Sequence, residues 1–481
     1  MWKLIYKTPS RSFSTSCVKR AIFDARSPLK VLQPLQAYAP TFYTRGENIT
    51  PLYEPCQFYA QLKSNILQAK ERVFIAALYI GQSEQDLVDT IRTALERTPT
   101  LQVHVLIDCL RGTRASKGQS SATLLLPLIE DFPNQMKVSM YHTPDLTGLL
   151  KKTLPARFNE SIGLMHLKVY GFDNKVMLSG ANLSTDYFTN RQDRYILFDK
   201  QPELSSYYHN LLKLISNCSY QLTSGKETYN LTMRKEMADP VKESKRYKRQ
   251  VHAYLQEFIR TQPSLKCEEE HDTAVLPVIQ MGPFGIRQDE KFTLELLTIA
   301  HAQRNWTIDL TSGYFNFTDK YKSFILKTRA KFQFLTASPE ANGFFNSKGV
   351  SRFLPPAYTY IERKFYRQVK KIGRSHDISI EEYKRPGWTY HAKGLWVKFN
   401  DDLPYLTMIG SPNFGQRSSE RDLEAQAVVM TENKALRNAL HKEVDMLHKY
   451  SELVSNETFA KLDRQVPNGV KIATAFVKTM L

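Results

Sequence analysis

His166-Leu-Lys168-Val-Tyr-Gly-Phe-Asp173, running on into Ser179-Gly-Ala-Asn182, is the stretch whose reading decides the fold. Alternate side chains of a strand share a face, so His166 and Lys168 project together while Leu167 and Val169 turn inward. Phe172-Asp173-Asn174-Lys175 reads as a turn and Val176-Met-Leu178 as the returning strand. The expected hairpin carries an imidazole, an ammonium and a side-chain amide on one wall. Displacement at phosphorus needs that set: a nucleophile or acid, a fixed cation for the non-bridging oxygens and a neutral donor.

The stretch recurs. His391-Ala-Lys393-Gly-Leu-Trp396 is followed by Gly410-Ser411-Pro-Asn413-Phe-Gly415. Sixteen positions carry His166 to Asn182 and twenty-two carry His391 to Asn413, a longer hairpin turn at Asn400-Asp401-Asp402-Leu403-Pro404 accounting for the difference. Eleven positions past each asparagine stands an acid, Asp193 or Glu424, next to an apolar strand-like run. One place departs from the repeat. Lys398 occupies the position of Asp173, so the halves are not expected to contribute equal chemistry unless Asp401 or Asp402 folds back to substitute.

These residues resemble the phospholipase D superfamily, marked by a duplicated H-x-K-x-x-x-x-D followed by G-x-x-N or G-S-x-N. The run from Gly410 to Gln426 resembles, more narrowly, the eukaryotic mitochondrial phosphatidylglycerophosphate synthases of that superfamily. The resemblance extends over most of residues 50–430. It implies an α/β fold of two similar domains, each a mixed β-sheet flanked by helices, with the active site at their interface.

The chemistry so implied is a two-step transfer. His166 attacks the phosphorus of CDP-diacylglycerol, CMP leaves, and a phosphatidyl-histidine forms that glycerol 3-phosphate resolves. His391 is the acid and base, the reverse assignment staying open. Lys168, Lys393, Asn182 and Asn413 would hold the equatorial oxygens, with Ser179 and Ser411 as lesser candidates. Asp193 and Glu424 would orient the imidazoles, in their own half or the other. Asp173 belongs to the catalytic motif, yet on a turn it can be structural. Arg111 and Arg114, in a loop after a strand, are candidates for a substrate phosphate. No metal or other cofactor is expected: the metal-dependent phosphatidyltransferases open their motif on Asp-Gly, a pair this chain lacks. The alternatives are a hydrolase or nuclease acting on another phosphodiester, or a basic membrane-binding scaffold with a decayed site, the last motivated by Lys398.

The 481 residues suffice for two ordinary cores. Five scattered cysteines without a C-x-x-C pair argue against a disulfide framework or zinc site. No apolar run is long enough to span a bilayer, so a lipid substrate would be met at the membrane surface. Residues 1–23 carry Lys3, Lys7, Arg11, Lys19 and Arg20 and no acid before Asp24, the composition of a mitochondrial transit peptide or of a disordered basic tail. The formal charge of +18 includes those five cations, so the body is basic too. A basic body suits nucleic acid, an anionic membrane surface or a phosphorylated substrate alike, and the resemblance implies the last two as partners and no nucleic acid.

Helical spacing at 54–72, 84–98 (with Ser83 as N-cap) and 121–131 alternates with strands at 73–79, 101–107 and 137–141. The second half repeats the plan, with helices at 289–304 and 319–328, strands at 306–311, 331–335 and 377–380, and Tyr314 where Tyr79 fell. The resulting division is a leader at 1–28, domains at 29–224 and 271–432, a basic helical linker at 225–270 and a helical extension at 433–481. The linker helix either packs on a domain or docks near anionic lipid. Phe344-Phe345 and the run 353–358 either pack or meet acyl chains, and Ile472, Phe476, Val477 and Met480 form either a packing or a membrane-facing stripe.

Overall fold

Three parallel strands start each half. Arg72–Ala77, Gln102–Asp108 and Met136–Tyr141 lie side by side, with helices Gln85–Arg97 and Ser121–Asp131 as crossovers. The hairpin Val169–Phe172 and Lys175–Ser179 adds antiparallel to the first of them, followed by Tyr195–Phe198 and Ile49–Leu52. The computed structural model describes residues 22–477 except 117, 148–161, 227 and 264, with side chains as far as Thr474.

The second sheet repeats the first strand for strand. Thr307–Ser312, Lys331–Ala337 and Ile378–Tyr383 are parallel, with Asp319–Lys327 and Leu354–Lys371 as crossovers. Lys393–Lys398, Pro404–Gly410, Leu423–Thr431 and Thr273–Met281 then follow in the order of their counterparts. The outer sides correspond in part: Tyr220–Ser224 lies beside Met136–Tyr141 as Ser451–Leu453 lies beside Ile378–Tyr383, but Tyr229–Thr232 adds a further edge strand to the first sheet. This is the α/β architecture of two similar domains read from the repeat.

One apolar core is shared by the two sheets, with Val176, Leu178 and Ile196 from the first and Ile279, Ala427 and Val429 from the second. Separate cores lie under the outer helices of each half. The helix Ser244–Arg260 buries Tyr247, Val251, Leu255 and Phe258 in the shared core, so the basic linker is packed against the domains.

Several expectations are corrected. The helix at 85 is capped by Glu84, not Ser83. The region after 433 is not simply helical: it holds strand Ser451–Leu453, and helix Lys434–His448 contributes Leu436, Leu440 and Val444 to the shared core. Phe42–Thr44 pairs with Thr273–Val275 of the second sheet, so the early chain crosses to the other half. Most of the expected leader lies outside the described residues, as do Met480 and the side chains of Phe476 and Val477, but Ile22 and Phe23 are buried in the core of the second half and belong to the folded body. None of the four described cysteines is disulfide-bonded. Among the described residues no helix is long and apolar enough to cross a membrane.

Candidate active site

Two short backbone contacts between the halves set up the site. Met165 bridges Leu423, with the His166 N–H donating to the Leu423 carbonyl at 2.9 Å. On the other side Tyr390 pairs with Gln192, and the His391 N–H donates to the Gln192 carbonyl at 2.8 Å. Each histidine is thereby stitched beside the residue preceding the opposite half's acid. The side chains follow the register. His166 Nδ1 lies 2.9 Å from Glu424 Oε2, and His391 Nδ1 lies 2.7 Å from Asp193 Oδ2. The acids serve the other half. A carboxylate only accepts, so each Nδ1 carries the proton and each Nε2 keeps its lone pair.

Lys168 and Lys393 are fully buried and turn back on their own motif, each ammonium donating to the carbonyl of its histidine at 2.8 and 2.7 Å. Lys393 also stands 3.6 Å from Asp193. Ser179-Gly180-Ala181 of the first half comes so close that a Cβ on Gly180 would fall 2.5 Å from Lys393 Nζ and 2.6 Å from Asp193 Oδ1. Glycine is required there by the approach of the opposite motif. Each lysine lies within electrostatic reach of both Asp193 and Glu424, which brings the two histidine–acid pairs side by side.

Burial dominates its electrostatics. It lowers His166 well below the ordinary histidine value, with the Lys168 charge adding to the effect. It lowers His391 to about 3, again helped by its lysine. Lys168 is pushed down to about 7 by burial, and Glu424 up to about 7 by the same cause against the pull of Lys168. Asp193 differs. Burial works to raise it, but Lys393 and His391 outweigh burial and hold it below the usual carboxylate value. Neutral imidazoles thus sit beside one ionised acid and one acid that shares its proton range with a lysine.

Asn182 donates to the Tyr187 hydroxyl at 3.1 Å, and Tyr187 in turn lies 3.4 Å from His391 Nε2. The amide oxygens of Asn182 and Asn413 are buried without a hydrogen-bond partner, capacity that a ligand can take up. Rotating either amide presents its NH2 group instead. The serines do other work. Ser179 Oγ donates to the Arg194 carbonyl at 2.6 Å and accepts from the Ala181 N–H, while Ser411 braces Ala425 in the same way. Both hydroxyls fix the strands that carry the acids rather than facing phosphate.

Asp173 is not part of the site. It occupies the hairpin turn with φ 47°, and its carboxylate accepts from the N–H groups of Lys70, Glu71 and Arg72. Its counterpart Lys398 pairs with the buried Asp309 at 2.9 Å. Both positions tie the far end of the motif strand to its neighbour, one by a carboxylate and the other by a cation, so the departure at 398 removes no catalytic group. Asp401 does not fold back either. It is held by Arg437 at 2.7 Å. Arg111 stacks on Tyr79, 4.6 Å from the ring centre, and with Arg114 lines a cavity of about 300 Å³ to which Ser184 and Thr185, two and three positions after Asn182, also contribute.

His166, Asp422 and Glu424 offer three donor atoms within 4.8 Å of one another, a spacing compatible with a metal. These donors are engaged. Asp422 accepts from Arg417 at 3.0 Å and from the Leu164 N–H, and Glu424 accepts from Ser418 at 2.5 Å. Lys168 and Arg417 supply positive charge beside them.

The chain is 43% identical to the mitochondrial CDP-diacylglycerol–glycerol-3-phosphate 3-phosphatidyltransferase of Gallus gallus, over 93% of its own length and 86% of that protein. It belongs to this phosphatidyltransferase family. Identity to the Homo sapiens member is 41%, over 93% of this chain and 85% of the relative. A family model described as the cardiolipin synthase PLD-like domain matches residues 62–215. The fold is shared with the crystal structure of phosphatidylserine synthase from Haemophilus influenzae Rd KW20, at a TM-score of 0.73 and 19% identity, covering 94% of this chain and 99% of that one.

In this member of the family, several residues around the site escaped the sequence reading. Arg194 is fully buried, ion-paired with Glu443 at 3.0 Å, donates to the Met408 carbonyl and lies 3.8 Å from the Trp396 ring centre. It locks Asp193 beside it against the second half. Gly394, at φ 129°, is forced by the same clamp, since a Cβ there would fall 2.1 Å from Arg194 Nη1. Tyr187 and Tyr314 meet the His391 ring edge-on, at 5.2 and 6.0 Å. Arg417 and Asp422 stood inside the run that carried the resemblance; Glu443, on a helix far along the chain, gave no signal.

Proposed function

We propose that this protein transfers the phosphatidyl group of CDP-diacylglycerol to glycerol 3-phosphate, giving phosphatidylglycerophosphate and CMP through a phosphatidyl-histidine intermediate. The observation that carries the mechanism is the crossed pairing: two imidazoles from equivalent halves, each with Nδ1 on the other half's acid, beside two buried lysines.

When the anionic substrate enters, His391 takes a proton from solvent on Nε2; the neutral His166 then attacks phosphorus through its own Nε2 as the bond to CMP breaks, and His391 delivers that proton to the departing oxygen. A hydroxyl of glycerol 3-phosphate then attacks the same phosphorus. Its proton passes to His391, the P–N bond breaks, and His166 returns to its starting state. Burial keeps His166 neutral, as a nucleophile must be. The ionised Asp193 favours His391 as the group that takes a proton once an anionic substrate enters beside it. Glu424 and Asp193 steady the imidazolium-like charge. Lys168, Lys393, Asn182 and Asn413 hold the phosphoryl oxygens, and Arg111 with Arg114 is assigned to a substrate phosphate.

Residues 29–224 and 271–432 act as the two catalytic domains, joined by 225–270 and braced by 433–481. The basic residues before Ile22 serve as a mitochondrial leader, and the protein works at the surface of the inner membrane. The relatives' names support the mitochondrial assignment. The test is CMP release by the purified protein supplied with CDP-diacylglycerol. Release that requires glycerol 3-phosphate and survives a chelator supports the reading. Release with water alone indicates a hydrolase, and DNA cleavage without CMP release a nuclease.

A further inference from the structure

Between Glu340 and Glu362 the chain carries no acid, two cations, Lys348 and Arg352, and a concentration of apolar residues. The structure turns residues 343–353 of that segment outward. Phe345 is 45% exposed, Val350 59% and Phe353 38%, and the short helix Gly349–Phe353 buries none of its side chains. Lys348 and Arg352 are exposed among them, Arg352 lying 4.7 Å from the Phe353 ring centre. Large apolar side chains interleaved with cations on one exposed turn match an anionic lipid leaflet: rings enter the acyl region and cations stay with the headgroups.

The inner end of the same segment reaches the site. Phe344 packs on Tyr314 at 5.8 Å, Tyr358 stacks on Tyr314 at 5.2 Å, and Tyr314 meets His391 edge-on. Beside the turn runs a groove of about 520 Å³, with Phe345, Phe353, Pro355 and Pro356 on one wall and Val466 and Pro467 on the other. Beyond it the last helix exposes Ile472, and Leu462 stands 85% exposed. Asp463 is the acid lining the groove, and Arg464 lies 3.6 Å from it.

We propose that residues 343–354 form the lip by which this protein enters an anionic membrane leaflet. Phe345, Val350 and Phe353 insert among acyl chains while Lys348 and Arg352 rest on phosphate headgroups. Resting on the phosphatidyltransferase reading, the Phe344–Tyr314–Tyr358 path then carries the lipid's glycerol end to His391 while its tails stay in the leaflet.

The test is flotation of the full chain with vesicles of phosphatidylcholine alone and of phosphatidylcholine with an equal part of phosphatidylglycerol. Wild type binds the anionic vesicles preferentially, and the Phe345→Asp/Phe353→Asp variant loses at least about ten-fold in that affinity. CMP release from vesicle-borne CDP-diacylglycerol falls in step, whereas release from a water-soluble short-chain analogue stays within about two-fold. Independently, Val350→Trp shows a blue-shifted emission on the anionic vesicles alone. Unchanged binding by the double variant, or a Val350→Trp emission indifferent to vesicles, overturns the lip. Absence of CMP release by wild type from either substrate sinks the catalytic reading and leaves the flotation result to decide the lip.

Discussion

Replacing Glu424 by glutamine keeps the shape of the side chain and removes one charge from a fully buried position. The carboxylate accepts from His166 Nδ1 at 2.9 Å and from Ser418 Oγ at 2.5 Å. A hydrogen bond to a charged partner is stronger than a neutral one by about 1–2 kcal/mol, so kcat is expected to fall about 5- to 30-fold through His166 alone. A second effect comes through Lys168. Its descent from 10.5 to about 7 corresponds to about 5 kcal/mol against the charged form, and Glu424 is the principal anion opposing that descent. Without Glu424 the lysine sheds its proton at lower pH. The charged form is present below the folded-state value and is lost as pH rises through it. The alkaline limb of kcat/KM should therefore lie near pH 7 in wild type and move down in Glu424→Gln. In kcat the limb should lie higher, because a bound phosphate supplies the missing negative charge. The assay is CMP release across the neutral range, with a thermal melt to establish that the variant is folded. A kcat within about three-fold of wild type and an unmoved limb would refute the reasoning.

Asp193→Asn should cost kcat by about 30-fold or more through His391 and leave KM for the lipid nearly unchanged; initial-rate kinetics check it. Asp173→Ala removes the acceptor for three backbone N–H groups, and should lower stability by about 3 kcal/mol in denaturant titration while kcat of the folded fraction is unchanged. Lys398→Ala leaves Asp309 buried without its cation, with an expected stability loss of about 3 kcal/mol and again no loss of kcat. A catalytic defect in either of the last two would restore that position to the site.

The repeated strand order was legible because each half alternates long amphipathic helices with apolar strands, patterns carried by ten or more residues at a time. What escaped was short. Phe42–Thr44, Ser451–Leu453 and the two-residue pairing at Gln192 and Tyr390 offer too few positions to show a period, yet they link the halves or close the sheet edges. The histidines, lysines, asparagines and acids of the site were legible from their repeated spacing. The crossing of the acids was not, since spacing within one half carries no information about its approach to the other. Asp173 misled for the opposite reason: it sits at a motif position, but its backbone conformation and three N–H donors make it a turn residue.

The most direct measurement is the site of covalent labelling. Wild-type protein mixed with CDP-diacylglycerol labelled in its diacylglycerol-bearing phosphate, without acceptor, and quenched at alkaline pH should yield an acid-labile adduct on the His166 peptide, discharged by glycerol 3-phosphate. CMP release in a single turnover with no label on either His166 or His391 would contradict the two-histidine account, and label on His391 would reverse the roles assigned to them.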